Sequence, residues 1–213
     1  MSSIPLKCSC GQVSGEIVDF KGTGTHIQCA CDDCQAYIHY LNKEDVFLDQ
    51  FGFSEIYQVR SNQVRILNGE ENIKCLRLSP KGIFRFYASC CHTPISNMIG
   101  LKMSFAGISR SFINLDDNEI LNQLGPVTYH IMTEYALREV TEKSSRKFPL
   151  ILTLKIVKQI IHGKIFKTYL PNSFYQQSNG TSKFPVSILS LEDKKSIKEN
   201  IYKKLRPTNE RYF

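Results

Sequence analysis

No stretch of this 213-residue chain is both apolar and long enough to cross a bilayer, because Lys155 and Lys158 interrupt the most apolar run, Phe148 to Ile161. The start, Met1-Ser2-Ser3-Ile4-Pro5-Leu6, lacks the basic opening and long apolar stretch of a secretory signal, so the expected setting is cytoplasmic and reducing. There is no internal repeat and no long low-complexity tract. With 42% hydrophobic and 22% charged residues, disorder is not the default and a buried core is within reach. Acidic residues are scarce in the last third. From Met1 to Glu142 there are 12 Lys and Arg against 16 Asp and Glu, whereas Lys143 to Arg206 holds 14 against 3. Cysteine is missing from that basic segment, since all eight cysteines lie in the acidic part. The expected organisation is therefore a cysteine-rich domain over residues 1–120 and a basic, mostly helical extension over residues 121–213.

In a reducing compartment, eight cysteines at close spacing point to metal ligands or reactive thiols rather than disulfides. Cys29-Ala30-Cys31-Asp32-Asp33-Cys34 follows the β-leaning Thr25-His26-Ile27 and places three thiols at C-x-C-x-x-C, able to converge on one zinc ion. A water or substrate in the fourth position would make such a site catalytic, and another cysteine would make it a closed clamp. A second pair, Cys8 and Cys10, precedes Gly11 in a C-x-C-G turn leading to a strand within Gln12 to Val18. Lys21-Gly22-Thr23-Gly24 reads as a loop.

Further strands are expected at Ser54–Val59 and Val64–Leu67, turned at Ser61-Asn62, then at Ile73–Leu78, Ile83–Tyr87 and Phe105–Leu115. Asp117 to Leu124 has acidic residues in its first turn and Gly125-Pro126 beyond its end, the signature of a short helix. Leu150, Leu154, Val157 and Ile161 fall on one helical face, expected to face the core with the lysines as its wet side, the alternative being that the stripe packs against a membrane or a second subunit. Ser190-Leu191-Glu192-Asp193 resembles a capping box before a last helix carrying Ile197 and Ile201. Pro171 to Pro185 reads as a loop.

C-x-C-G near the start, C-x-C-x-x-C about twenty residues on, and an aromatic strand ending in Cys90-Cys91-His92-Thr93-Pro94 together resemble the glutathione-dependent formaldehyde-activating enzyme (GFA) and centromere protein V family. The resemblance spans roughly residues 5 to 115 and, through Arg77 to Gly82 and Phe86 to Asn97, is similar to an uncharacterised branch of it. It implies a mainly β domain, a β-tent of small antiparallel sheets with zinc-binding cysteine turns, and so α+β overall once the helical extension is added. It further implies a structural zinc on Cys8, Cys10 and a later C-x-x-C pair, and a catalytic zinc on Cys29, Cys31 and Cys34. The family's reaction joins formaldehyde and glutathione, a carbon–sulfur lyase activity.

This chain departs from that pattern in one place. Ala88 stands where the family has the first cysteine of the later pair, and Cys91 aligns with the second. Cys90, Cys75 or His92 is left to replace the missing ligand, or Cys90 to close the second site, or the first zinc to be absent. Neighbouring residues on an extended backbone point to opposite sides, so Cys90 and Cys91 are expected to serve different sites: Cys91 as a ligand, and Cys90 left open as a ligand, a reactive, candidate catalytic thiol, or a small core residue. Cys75 reads as a buried strand residue. Asp32 and Asp33 read as solvated or turn-capping, with a supporting role to the ligands as the alternative, and Arg77, Lys81 and Arg85 as a solvated face or a contact for an anionic substrate.

The expectation is a zinc protein with one or two ions that acts on a small-molecule thiol or glutathione adduct. The alternative is a non-catalytic, zinc-stabilised module whose basic extension contacts a partner. No aromatic-basic recognition motif accompanies the positive charge, which argues against nucleic acid, and a homo-oligomer stays open.

Overall fold

The computed structural model describes residues 3–20, 24–140 and 144–205, so the loop expected at Lys21-Gly22-Thr23-Gly24 lies, apart from Gly24, outside the described residues. In chain order the elements are β1 (Ile4–Lys7), β2 (Ser14–Ile17), β3 (Thr25–Cys29), α1 (Asp32–Tyr40), α2 (Glu44–Phe47), β4 (Ser54–Val59), β5 (Val64–Asn68) and β6 (Ile73–Arg77). They continue with β7 (Phe84–Ala88), β8 (Thr93–Met98), β9 (Ala106–Ser109), α3 (Asp117–Leu124), β10 (Tyr129–Ile131), α4 (Leu150–Phe166), β11 (Val186–Ile188) and α5 (Leu191–Leu205). The chain is α+β, with a three-stranded sheet in the order β1-β2-β5 and an eight-stranded sheet in the order β10-β3-β4-β9-β8-β7-β6-β11. Pairing is antiparallel except at the two edges of the large sheet, where β10 runs parallel to β3 and β11 parallel to β6.

The two sheets bury one apolar layer between them. Ile4, Leu6, Ile17 and Val64 from the small sheet meet Phe86, Ile95 and Ile108 from the large one, and Phe112 from the 3₁₀ turn after β9 and Phe174, Tyr175 and Phe184 from the long loop before β11 complete the cluster. Alternation explains the strands: β1 reads buried-exposed-buried-exposed, with Pro5 and Lys7 outward. β4 and β5, expected as neighbours turned at Ser61-Asn62, instead separate into different sheets across a short 3₁₀ turn at Ser61–Gln63. Ile27 and Ile56 join Ile131 and Leu152 in a second cluster beneath the thiol trio.

Asp116 caps α3 reciprocally with Glu119, each side chain taking the other's backbone N–H at 2.9 Å, and Gly125 ends the helix at φ +79°. Gly125 also fixes His26. The His26 Nδ1–H donates to the Gly125 carbonyl at 2.9 Å, and Nε2 faces Glu55 Oε1 at 2.7 Å. Both ring nitrogens face acceptors, which favours the imidazolium. Burial pushes the His26 pKa down, but the Glu55 carboxylate and the Gly125 carbonyl outweigh it and leave the value raised. Glu55 is lowered because His26, Gln28 and Arg110 outweigh its burial.

The sign of the pH dependence follows from these directions. The raised His26 value stabilises the fold fully below about pH 6.5, and that contribution is lost as pH climbs through the folded-state value. The lowered Glu55 value contributes above about pH 4.5 and is lost as pH falls through its folded value. Denaturant midpoints taken between pH 5 and 8 are therefore expected to fall on the alkaline side, and Glu55→Gln to flatten that slope. An unchanged slope in Glu55→Gln would remove the pair as its cause.

Candidate metal centres

Two turns build the first cysteine cluster. Cys8 and Cys10 sit between β1 and β2, where Gly11 adopts φ +81° and its N–H donates to the Cys8 carbonyl at 2.9 Å. Cys90 and Cys91 sit between β7 and β8, where His92 at φ +60° donates its N–H to the Ala88 carbonyl at 2.7 Å. Thr93 ties the turns together, since its Oγ1 accepts from Ser9 N at 3.0 Å and lies 3.1 Å from Cys91 Sγ.

Sulfur separations are 3.6 Å for Cys8–Cys10, 4.0 Å for Cys8–Cys90, 3.3 Å for Cys10–Cys90 and 3.8 Å for Cys90–Cys91. All four sulfurs lie within 4.8 Å of one another. Four sulfurs each about 2.3 Å from a central ion at tetrahedral angles are about 3.8 Å apart, close to the separations seen here, so the set could converge on one thiolate-bound cation. Burial pushes Cys91 up, but the hydroxyls of Ser9 and Thr93 and the backbone N–H groups of Cys10 and Thr93 pull it down to about 5. One member is thus already disposed to the ligating thiolate form.

The second cluster is built by the junction of a strand with a helix. Cys29 ends β3, Cys31 occupies the N-cap of α1 with extended φ and ψ of −62° and 148°, and Cys34 lies in the first helical turn. The C-x-C-x-x-C spacing alone gives no sign of this helix. Cys29, Cys31 and Cys34 also lie within 4.8 Å of one another, and no fourth cysteine joins them among the described residues. These two cysteine clusters could each hold a metal ion.

What faces the trio is a buried cation. Arg85 on β7, expected on a solvated face, is 3% exposed, and its Nη1 donates to Cys34 Sγ at 3.9 Å and to Asn97 Oδ1 at 3.3 Å. Strand alternation sends Arg85 to the side of the sheet covered by α1, where its guanidinium also lies over the Tyr37 ring at 5.4 Å. Contacts from Cys29 and Cys31, helped by Arg85, hold Cys34 well below the usual thiol range against the upward push of burial. Cys29 is raised by its contacts with Cys31 and Cys34 and by burial. Cys31 is pulled down by Cys29, yet Cys34 and burial push it up to about 12. Of the three thiols, Cys34, opposite Arg85, is the one whose surroundings favour the thiolate.

A cavity of about 10 Å³, room for about one water, lies beside Cys34 and is lined by Ser54, Arg85, Ser96 and Asn97 among others. The Ser96 hydroxyl there is buried and has no hydrogen-bond partner among the described residues.

Asp32 and Asp33 stay partly exposed and are paired with α5. Lys198 Nζ and Tyr202 OH donate to Asp32 at 2.8 and 2.9 Å, and Lys194 Nζ lies 2.8 Å from Asp33. The last helix therefore clamps the loop that carries the trio.

Cys90 joins Cys8, Cys10 and Cys91, so its sulfur belongs to the four-thiol cluster. Adjacent cysteines share a cluster because they lie on a turn, where strand alternation does not apply. Cys75 is buried apart from both clusters, and burial pushes its thiol up to about 12. His92 contacts the Leu41 carbonyl through Nδ1 at 3.1 Å and stands outside the cluster.

A family model described as "Family of unknown function (DUF6151)" matches residues 1–184. Among solved structures, the crystal structure of a Rhodobacter sphaeroides protein, a Northeast Structural Genomics target, aligns at 13% identity and a TM-score of 0.40, covering 55% of this chain and 94% of that one. No curated protein matches.

Proposed function

Because the chain belongs to this family of unknown function, DUF6151, we propose its activity from its own residues: a zinc protein of the GFA-like kind, with a structural ion on Cys8, Cys10, Cys90 and Cys91 and a working ion on Cys29, Cys31 and Cys34. The asymmetry of the two clusters carries the reading. Among the described residues four thiols converge at one site and three at the other, and the three lie beside a small cavity whose mostly apolar wall carries the polar groups of Ser54, Ser96 and Asn97, so we read the second site as the one with a free position.

A zinc ion on the trio would supply Lewis-acid polarisation. The chain's own groups do the rest. Arg85 balances the negative charge of clustered thiolates in a water-poor setting, and Asn97 orients its guanidinium. The clamp from Lys194, Lys198 and Tyr202 fixes the helix start that presents Cys31 and Cys34. The unpartnered Ser96 hydroxyl offers a hydrogen bond to a small oxygen-bearing group in the cavity. A thiol–aldehyde adduct presents a sulfur and a hydroxyl on one carbon, the two functions a zinc position and the Ser96 hydroxyl would meet, and in a cavity with room for about one water only that hydroxymethyl end would enter, which fits a carbon–sulfur lyase.

The test is adduct formation from glutathione and formaldehyde by zinc-loaded protein. Turnover is expected, and Cys31→Ala should abolish it while the four-thiol site keeps its metal. Protein that carries zinc on the trio and gives no turnover would leave a zinc-stabilised binding module as the function.

A further inference from the structure

α4 is anchored by the face opposite to the one its sequence suggested. Leu152 and Gly163 are buried, Ile156 is half-buried, and Gln159 Nε2 donates to the carbonyls of Val59 at 3.1 Å and Ser104 at 2.8 Å. A Cβ on Gly163 would stand 2.2 Å from Ser104 Cβ, so glycine is what lets the helix seat this closely. The consequence is an aliphatic stripe turned to solvent. Leu150 is 74% exposed, Leu154 59%, Val157 44%, Ile161 54% and Ile165 67%. At about 1.5 Å per residue, this ridge runs roughly 25 Å along α4.

Single exposed hydrophobics are ordinary; a contiguous ridge of five marks a surface that is covered in use. Its charge identifies the cover. Exposed Lys158, Lys164 and Lys167 border the ridge, none with an ion-pair partner among the described residues, whereas Lys155 is engaged with the Tyr129 hydroxyl at 3.2 Å. No Asp or Glu occurs between Glu142 and Glu192. Two copies meeting through α4 would bring lysine against lysine, which disfavours a second copy as the occupant. A fluid anionic surface accepts a convex apolar ridge and neutralises the bordering lysines, as interfacial helices require. No helix among the described residues is long and apolar enough to cross a membrane, so the contact lies in the plane of the interface.

We infer that α4 docks this protein on an anionic lipid surface, with Leu150, Leu154, Val157, Ile161 and Ile165 entering the acyl boundary and Lys158 and Lys164 meeting headgroup phosphates. The probe is flotation of the full chain with phosphatidylcholine vesicles, with and without phosphatidylserine. Binding is expected only with phosphatidylserine and should weaken with salt. Leu154→Asp and Ile161→Asp, both at exposed positions, should each lower partitioning about tenfold or more with an unchanged circular dichroism spectrum. Lys158→Gln and Lys164→Gln should each lower it about fivefold. Absence of binding to either vesicle would overturn the inference. So would a concentration-dependent dimer, seen by sedimentation equilibrium and dissociated by the same aspartate variants, which would assign the ridge to a second copy.

Discussion

If each cysteine cluster holds an ion as proposed, replacing Cys91 with serine is expected to remove the one on the four-thiol cluster and to lower folding stability by about 4 kcal/mol or more, the range in which loss of a structural metal falls. Cys91 belongs to the cluster that joins the β1–β2 turn to the β7–β8 turn, and so connects the small sheet to the large one. Thr93, which holds Ser9 and Cys91 together, remains in the variant, but a serine oxygen is a poor substitute for a thiolate on a soft-ligand site. Chemical denaturation with and without a strong chelator measures the effect. Wild type should lose stability on chelation and Cys91→Ser less, since its four-thiol cluster is already empty and only the trio is left to respond. Equal loss in both would place the chelator's effect outside the four-thiol cluster.

Arg85→Met is expected to cost about 3–5 kcal/mol, the usual consequence of removing one partner of a buried charged pair. The methionine fills much of the volume, so the loss reports charge rather than a void. It leaves Cys34 without the guanidinium at 3.9 Å and Asn97 without its donor. Metal content adds a second readout: the trio should retain zinc poorly in Arg85→Met, while the four-thiol cluster stays loaded. A variant as stable as wild type, with full zinc on the trio, would show that Arg85 does not balance the thiolates.

Spacing alone made much of the site legible. C-x-C-x-x-C requires only a local change of direction to bring Cys29, Cys31 and Cys34 together, and C-x-C-G does the same for Cys8 and Cys10. Long-range information was harder to extract. Whether Cys90, Cys75 or His92 accompanies Cys91 depends on which turn packs against β1, and Cys90 reaches Cys10 across eighty residues of chain. Arg85 was visible only as one of three cations, because Cys34 approaches it through the packing of α1 on β7, not through local sequence.

The period of α4 was read correctly and its orientation was not. Leu150, Leu154, Val157 and Ile161 form the more apolar stripe, yet Leu152, Ile156, Gln159 and Gly163 face the protein because a glycine and two hydrogen bonds permit close approach. β8 and β11 escaped notice for another reason. Thr93–Met98 follows directly on the cysteine turn, and Val186–Ile188 is three exposed residues whose strand character comes from pairing with β6.

The measurement that bears most directly on this account is metal content per chain of reduced, purified protein by plasma mass spectrometry, for wild type, Cys8→Ser and Cys31→Ser. Two zinc equivalents in wild type and one in each variant would establish two independent thiolate sites, one closed and one with a free position. A folded wild-type protein that holds no metal, or a single equivalent lost only in Cys8→Ser, would contradict the assignment of a working ion to Cys29, Cys31 and Cys34.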